Sequence, residues 1–185
     1  MWIKKCFLCV ICLALYGQEA PQKSPSQSNI ESLYIMPYEN IQALQSLITH
    51  IKNAKKSIDI SIYSFTNREI AKALRDSAQK GVKITIIYDK SSNLKNDTST
   101  IGYLAKYNNI EVCTLEGKSA PNYKGIMHQK MAIIDGETLI LGSANWSKSA
   151  FEYNYETLLI TQERSHTRKA AQYFARMAKE CQAFR

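Results

Sequence analysis

From residue 30 onward, segments with helical and with strand-like hydrophobic patterns alternate along the chain. Residues 39–55 carry apolar side chains at helical spacing, whereas 57–65 and 82–88 are short runs rich in β-branched residues. This alternation favours parallel strands joined by helices, because parallel neighbours need a long crossover connection. Further segments of this kind are a strand over 32–36, a helix capped by Thr66 that ends near Gly81, a weak helix over 97–107 and a strand over 110–114.

The pattern changes after residue 114. Two apolar runs, 127–134 and 137–141, flank the dipeptide Asp135-Gly136, which is strongly favoured in two-residue hairpin turns. Two more segments complete the domain, a strand over 155–161 and an amphipathic helix over 165–184. We therefore predict an α/β domain with a mixed, mainly parallel β-sheet flanked by helices on both faces.

The first 29 residues differ in composition from the rest of the chain. Lys4 and Lys5 precede an apolar run, and a polar stretch with two prolines follows. This order is typical of an export signal, and the apolar run is shorter than the roughly 20 residues that span a bilayer as a helix. We predict a signal peptide or N-terminal membrane anchor over 1–17, a flexible linker over 18–29 and one folded domain over 30–185. The protein would then be exported, and periplasmic or membrane-associated outside the cytoplasm.

The five cysteines fall into two groups. Cys6, Cys9 and Cys12 lie inside the apolar run and are best explained as small hydrophobic residues. Cys113 and Cys181 lie in the predicted domain. Export makes a disulfide between these two possible, and two buried thiols explain the sequence equally well.

The charge of the chain favours polyanionic partners. Lys and Arg number 24 against 16 Asp and Glu, which gives a formal net charge of +8. Nucleic acid and anionic lipid both satisfy this preference, so the charge does not distinguish them. A hydrophobic content of 45% excludes a disordered chain, because that much apolar surface can build a core.

The predicted hairpin brings polar side chains together at its open end. With a two-residue turn, His128 pairs with Ser143, and Lys130 pairs with Leu141. The side chains of His128, Lys130 and Ser143 then share one face of the hairpin, and Asn145 lies just beyond it. None of the four polar residues is typical of a core, so a face that carries them is either solvated or a site.

These side chains suit phosphoryl transfer. The imidazole of His128 can attack phosphorus or carry a proton, while Lys130 and Asn145 hold the phosphate oxygens. Glu156, on the next strand, is placed to orient an imidazole. Asp135 lies in the hairpin turn, where a structural role explains it at least as well as a chemical one.

The pattern His128-x-Lys130-x4-Asp135-x6-Gly142-Ser143-x-Asn145 resembles the HKD motif of the phospholipase D superfamily. Residues 30–185 are also similar in length and element order to the single-motif bacterial endonucleases of that superfamily. The resemblance implies a metal-independent phosphodiesterase that needs no cofactor. The catalytic residues it implies are His128, Lys130, Asp135, Asn145 and Glu156, with Ser143 contacting the substrate.

Enzymes of this superfamily use two HKD motifs, and this chain has one. The resemblance therefore implies a homodimer with one composite site on the two-fold axis. One His128 would form a phosphohistidine, and the second copy would protonate the leaving oxygen.

The substrate class stays open between two polyanions. Tyr123, Lys124 and Trp146 lie close to the motif in sequence and are predicted to contact nucleic acid, the alternative being a solvated loop and a core tryptophan. We favour cleavage of DNA or RNA, single strands above duplexes. The alternative is a lipid phosphodiesterase associated with a membrane through its N-terminal segment. The intact motif disfavours a third possibility, a non-catalytic nucleic-acid-binding dimer.

Overall fold

The fold is that of a computed structural model, which describes residues 31–184. The predicted signal or anchor over 1–17, the linker over 18–29 and the first three cysteines lie outside the described residues. The strands are β1 (Glu31–Met36), β2 (Ser57–Ile62), β3 (Lys83–Asp89), β4 (Ile110–Leu115), β5 (Lys130–Ile134), β6 (Thr138–Gly142), β7 (Glu156–Thr161) and β8 (Gln182–Ala183). The helices are α1 (Asn40–Asn53), α2 (Arg68–Gln79), α3 (Lys90–Asn93), α4 (Ile101–Leu104), α5 (Lys148–Glu152) and α6 (Arg164–Glu180).

All eight of these strands form a single sheet in the order β1-β7-β6-β5-β2-β3-β4-β8. The pairs β2–β3 and β3–β4 are parallel, and the other five neighbouring pairs are antiparallel. The mixed sheet is confirmed, whereas the expectation that it is mainly parallel was wrong. The reason is that β5 returns antiparallel to β2, so the later half of the domain is built from hairpin-like neighbours.

Helices cover both faces of the sheet, as predicted. On one face, the larger core lies between the sheet and the helices α1, α2, α4 and α5. The isoleucines of β2 are part of this core. On the other face, Phe174 of α6 packs against Ile87, Ile133 and Leu139. Within residues 31–184, no helix combines the length and the apolar character that crossing a bilayer requires.

The helix after β2 begins one residue later than predicted. The Asn67 side chain, rather than that of Thr66, accepts hydrogen bonds from the backbone N–H groups of Glu69 and Ile70, at 2.9 and 3.2 Å. Its end is as predicted, because Gly81 takes the left-handed conformation (φ 95°) that closes a helix without steric cost. The weak helix predicted over 97–107 is reduced to the single turn of α4.

The C-terminal helix is shorter than predicted. It ends at Glu180, and Cys181 is extended (φ −78°, ψ 149°), so the chain turns into β8 and pairs antiparallel with β4. Cys113 of β4 and Cys181 form a disulfide with a Cα–Cα distance of 5.8 Å. Of the two alternatives for these cysteines, the disulfide is the one that the fold contains.

Candidate active site

The turn of the β5–β6 hairpin differs from the prediction by one residue. Ile134 pairs with Thr138, which leaves a three-residue loop closed by a hydrogen bond from Glu137 N–H to the Ile134 carbonyl. Asp135 and Gly136 both take positive φ, 55° and 71°. The predicted pairing of His128 with Ser143 was therefore wrong. His128 lies two residues before β5 begins, and packing beyond the hairpin has to bring the site together.

Asp135 lies at the turn end of the hairpin and anchors it. Its carboxylate accepts hydrogen bonds from the backbone N–H groups of Lys55, Lys56 and Ser57, at 2.8, 2.7 and 3.0 Å. Burial alone would raise the pKa of Asp135, but these hydrogen bonds outweigh it and lower the pKa.

Lys130 begins the five-residue strand β5, and Asp135 directly follows it. The two residues therefore lie at opposite ends of the strand, about 16 Å apart. Every hydrogen bond that the Asp135 side chain makes among the described residues goes to the 55–57 backbone. The geometry therefore supports the structural interpretation of Asp135 and not its assignment to the catalytic group.

The opposite end of β5 presents the imidazole and the ammonium. His128 is exposed, and its ring packs edge-on against Tyr63, with centroids 4.6 Å apart. Lys130 is only 8% exposed. Its Nζ donates to the His128 carbonyl at 2.9 Å and lies 5.0 Å from the Tyr63 ring centroid. Burial lowers the pKa of Lys130, and the negative charge of Glu156 partly opposes that shift.

Tyr63 was missed by sequence reasoning. It follows β2, whose antiparallel pairing with β5 continues in a hydrogen bond from Tyr63 N–H to the Gln129 carbonyl, at 2.9 Å. The pairing joins segments 66 residues apart, and no local pattern in the sequence indicates it. The sequence offers one general indication, which is that a tyrosine at the end of a buried strand has a hydroxyl that needs a polar partner.

Glu156 and Ser143 come together on the neighbouring strand pair. The Ser143 hydroxyl donates to the Glu156 carboxylate and accepts from the Thr157 N–H at 3.0 Å, and Asn154 donates to the other carboxylate oxygen at 3.4 Å. Gly142 allows this approach, because a Cβ there would lie 2.0 Å from the Thr157 carbonyl oxygen. Sequence reasoning placed Ser143 beside His128 and did not include Asn154.

Asn145 carries an unsatisfied group. Its side-chain Oδ1 is buried and has no hydrogen-bond partner among the described residues. Buried polar atoms in native proteins are nearly always paired, so an orphaned one needs an explanation. This oxygen accepts hydrogen bonds and so cannot hold a phosphate oxygen, which also accepts. The part of the Asn145 amide that can donate to phosphate is its Nδ2 group.

The three residues predicted to contact substrate from outside the motif behave differently. Trp146 is 1% exposed and packs against Phe65 in the core, so its predicted stacking on nucleic acid was wrong. Tyr123 is 67% exposed, and Lys124 forms a 3.1 Å ion pair with Glu116. These two lie on the loop between β4 and β5, and none of the contacts described for them reaches His128 or Lys130.

The site cluster, as we call it, therefore consists of His128, Lys130, Ser143, Asn145 and Glu156 together with Tyr63. It combines an exposed imidazole, a partly desolvated ammonium, a carboxylate held by hydrogen bonds and an amide. Such groups can form a bond to phosphorus, neutralise its oxygens and transfer protons. Nowhere in residues 31–184 do three or more His, Cys, Asp and Glu side chains lie close enough to hold a metal ion.

Curated sequences related to this chain include lipid enzymes. Mitochondrial cardiolipin hydrolase from Danio rerio is 34% identical over 131 residues, 71% of this chain and 55% of that protein. The Homo sapiens protein of the same name is 32% identical over 135 residues, 73% of this chain and 50% of that protein. The chain thus spans about half the length of these relatives.

Two solved structures are matched over 99% of their own chains. NucT from Helicobacter pylori has 51% identity and a TM-score of 0.82, over 84% of this chain and 99% of that one. Nuc from Salmonella typhimurium, a phospholipase D family member, has 24% identity and a TM-score of 0.73, over 85% and 99%, and supports the fold. The family model described as "Cardiolipin synthase, PLD-like domain" matches residues 47–178. The resemblance carried by the HKD motif is thereby confirmed, and the chain belongs to the phospholipase D superfamily.

Proposed function

We propose that the protein is a metal-independent phosphodiesterase that cleaves DNA or RNA, single strands in preference to duplexes. The observation that carries the proposal is that the exposed His128 imidazole and the partly desolvated Lys130 ammonium both lie against the Tyr63 ring, at one end of β5. The 51% identity to NucT, over nearly all of that chain, supports the nucleic-acid substrate. The net charge of +8 favours a polyanion of this kind.

The proposed reaction has two steps. An imidazole nitrogen of one His128 attacks phosphorus, and the P–O bond to the leaving group breaks as the P–N bond forms. The partner subunit's His128 donates its proton to the leaving oxygen. Water then attacks phosphorus, and the P–N bond breaks as the new P–O bond forms, which releases the first imidazole. The second imidazole takes the proton that the water loses. Lys130 and Asn145 hold the non-bridging oxygens throughout, and Ser143 and Glu156 fix the rim of the site.

A homodimer supplies the second histidine. Exposed apolar side chains concentrate along β1 and the start of α1, and include Leu33, Ile35, Tyr38 and Ile41. This patch adjoins the site, because Met36 at the end of β1 pairs with Glu156. Apolar surface of this extent is typical of an interface, and we assign it to a second copy of the chain.

Subunit mixing tests the composite site. Wild-type and His128→Ala chains are co-refolded in equal amounts and assayed at constant total protein. If each site needs both histidines, activity falls to about one quarter of the wild-type value, whereas independent sites give about one half. A value of one half, or full activity in a protein shown to be monomeric, would overturn the dimer mechanism.

The substrate is tested with the purified protein in the presence of a chelator. Labelled single-stranded DNA, duplex DNA and RNA are compared with cardiolipin vesicles at equal phosphodiester concentration. We expect cleavage of the nucleic acids, fastest for a single strand. Activity on vesicles alone would replace the nuclease proposal by the alternative that the relatives support, a lipid phosphodiesterase.

We also propose that the protein works outside the cytoplasm. The disulfide between Cys113 and Cys181 supports this, because such bonds persist mainly in oxidising compartments. In this proposal residues 1–17 act as the export signal or as an anchor that associates the protein with a membrane, 18–29 as a linker and 30–185 as the nuclease domain. Cell fractionation tests the location, and a protein found in the cytoplasm would contradict the proposal. The mass of the mature chain shows whether the signal is cleaved.

A further inference from the structure

Two buried polar residues lie behind the site cluster without a role so far. Asp89 ends β3 and Asn93 ends α3, and each is only 1% exposed. A carboxylate and an amide at that depth are stabilised only if their polar atoms are hydrogen-bonded. Their partners therefore show what the two side chains hold in place.

Asp89 reaches the segment that carries His128. Its Oδ1 accepts from the Ser91 hydroxyl at 2.6 Å and from the Ser92 N–H at 2.8 Å, which caps α3. Its Oδ2 accepts from the N–H of Met127 at 3.0 Å, although Met127 is 38 residues away. The last hydrogen bond contributes nothing to the cap, and it fixes the backbone immediately before His128.

Asn93 reaches the residue whose ring packs against the imidazole. Its Nδ2 donates to the carbonyl of Tyr63 and to that of Asp89, both at 2.8 Å, and its Oδ1 accepts from the Ser99 hydroxyl at 2.9 Å. Tyr63 is the residue whose ring packs against His128. Asn93 therefore holds the backbone that places this ring.

We infer that Asp89 and Asn93 form a buried bracket that positions His128. Asp89 fixes the backbone of Met127, directly before His128, and Asn93 fixes the backbone of Tyr63, whose ring packs against the imidazole. His128 itself precedes β5 and is exposed, so the ladder of the sheet does not hold it. A displacement of about 1 Å in a reacting group can lower a rate by about 100-fold. The inference rests on the proposed function for its effect on rate, but the positioning itself can be measured without substrate.

The direct measurement is the NMR spectrum of the imidazole. The chain has three histidines, so the ring protons of His128 can be assigned by substitution. Because the Tyr63 ring lies 4.6 Å away, its ring current shifts the His128 signals. We expect Asp89→Asn and Asn93→Ala to move these signals toward those of a histidine with no aromatic ring beside it. The same variants should lower kcat about tenfold or more, with less than a threefold change in KM.

The matched control is Ser77→Ala. Ser77 is also 1% exposed, and its hydroxyl makes one buried hydrogen bond, to the Ile51 carbonyl at 2.8 Å. We expect this variant to lose stability but to keep the His128 signals and kcat. If either bracket variant folds and leaves both readouts as in the wild type, or if Ser77→Ala moves them equally, the bracket is wrong.

A milder variant keeps the inference testable if the bracket variants do not fold. Ser99→Ala removes the hydroxyl that donates to the Asn93 amide oxygen at 2.9 Å and that also accepts, at 3.4 Å, from the N–H of Ile101. We expect a smaller shift of the His128 signals in the same direction, and no shift would overturn the bracket. Failure of the nuclease proposal is distinct, since it would appear as a wild-type protein without nuclease activity whose His128 signals still respond to these substitutions.

Discussion

The two ends of the β5–β6 hairpin carry residues of one motif but use their polar groups in opposite ways. At the turn end, three backbone N–H groups satisfy the carboxylate of Asp135. At the open end, Asn145 keeps a buried oxygen without a partner among the described residues. There, burial also lowers the pKa of Lys130. Polar groups paired within the chain stabilise it, whereas buried groups that lack a full set of partners cost stability, as is typical of functional sites.

This difference distinguishes a structural role from a catalytic one, whereas a match to the motif does not. The spacing of an HKD pattern places histidine, lysine and aspartate together in sequence, but a strand of five residues holds the aspartate at the far end. Substitutions at the open end should therefore change activity with little effect on folding. Those at the turn end should change folding with little effect on activity.

The largest effect is expected for His128→Ala. Removing the nucleophile should lower kcat by at least about 10³-fold on any phosphodiester substrate. The melting temperature should change little, because the ring is exposed. His166→Ala is the matched control, since that histidine is exposed on α6 and should leave kcat unchanged. A His128→Ala protein that still cleaves at the wild-type rate would contradict the site.

The next effect is expected for Lys130→Met, which keeps the length of the side chain and removes its charge. Loss of the ammonium that neutralises phosphate oxygens should lower kcat/KM by about 100-fold. The fold should be retained or slightly stabilised, because a partly desolvated charge is removed from a site that is 8% exposed. Activity and urea unfolding are measured together. A strong loss of stability with unchanged kcat/KM would place Lys130 with the structural end instead.

At the turn end, Asp135→Ala should destabilise the protein by about 2–4 kcal/mol. Three hydrogen bonds to a carboxylate are lost, and alanine is less suited than aspartate to the positive φ of 55°. Asp135→Asn should cost less, since asparagine tolerates this conformation and keeps one acceptor oxygen. Urea unfolding gives the free energies. The folded fraction of each variant should have nearly wild-type kcat. A large loss of kcat in the folded fraction would show that Asp135 acts in catalysis.

The smallest effect concerns pH. Because the pKa of Asp135 is lower in the folded protein than in the unfolded chain, its carboxylate stabilises the fold at pH values above the unfolded-state pKa of about 3.9. That contribution is lost as the pH falls through the lower folded-state pKa. The difference in unfolding free energy between wild type and Asp135→Asn should be constant from about pH 7 to 5 and then decrease. A difference that grows on acidification would contradict the anchoring role.

Sequence reasoning succeeded where the signal was local. Hydrophobic periodicity placed most helices and strands. The motif named four of the six residues of the site cluster, and Glu156 was named from its place on the next strand. It failed where the outcome depended on partners distant in sequence. Asp135-Gly136 indicated a turn but not its length, and the one-residue difference removed the predicted contact between His128 and Ser143. Trp146 lies beside Asn145 in sequence, yet its ring lies in the core against Phe65.

By itself, the amino-acid sequence determined the family and the mixed α/β architecture and supplied the candidate reactive groups, because periodicity and motif spacing are properties of short segments. Only the tertiary structure decided that β5 pairs with β2, which brings Tyr63 against His128 and Lys130. It likewise joined Cys113 to Cys181 and directed Asp89 to Met127. These contacts connect segments between 38 and 76 residues apart. Their choice depends on how whole layers pack, which no local pattern encodes.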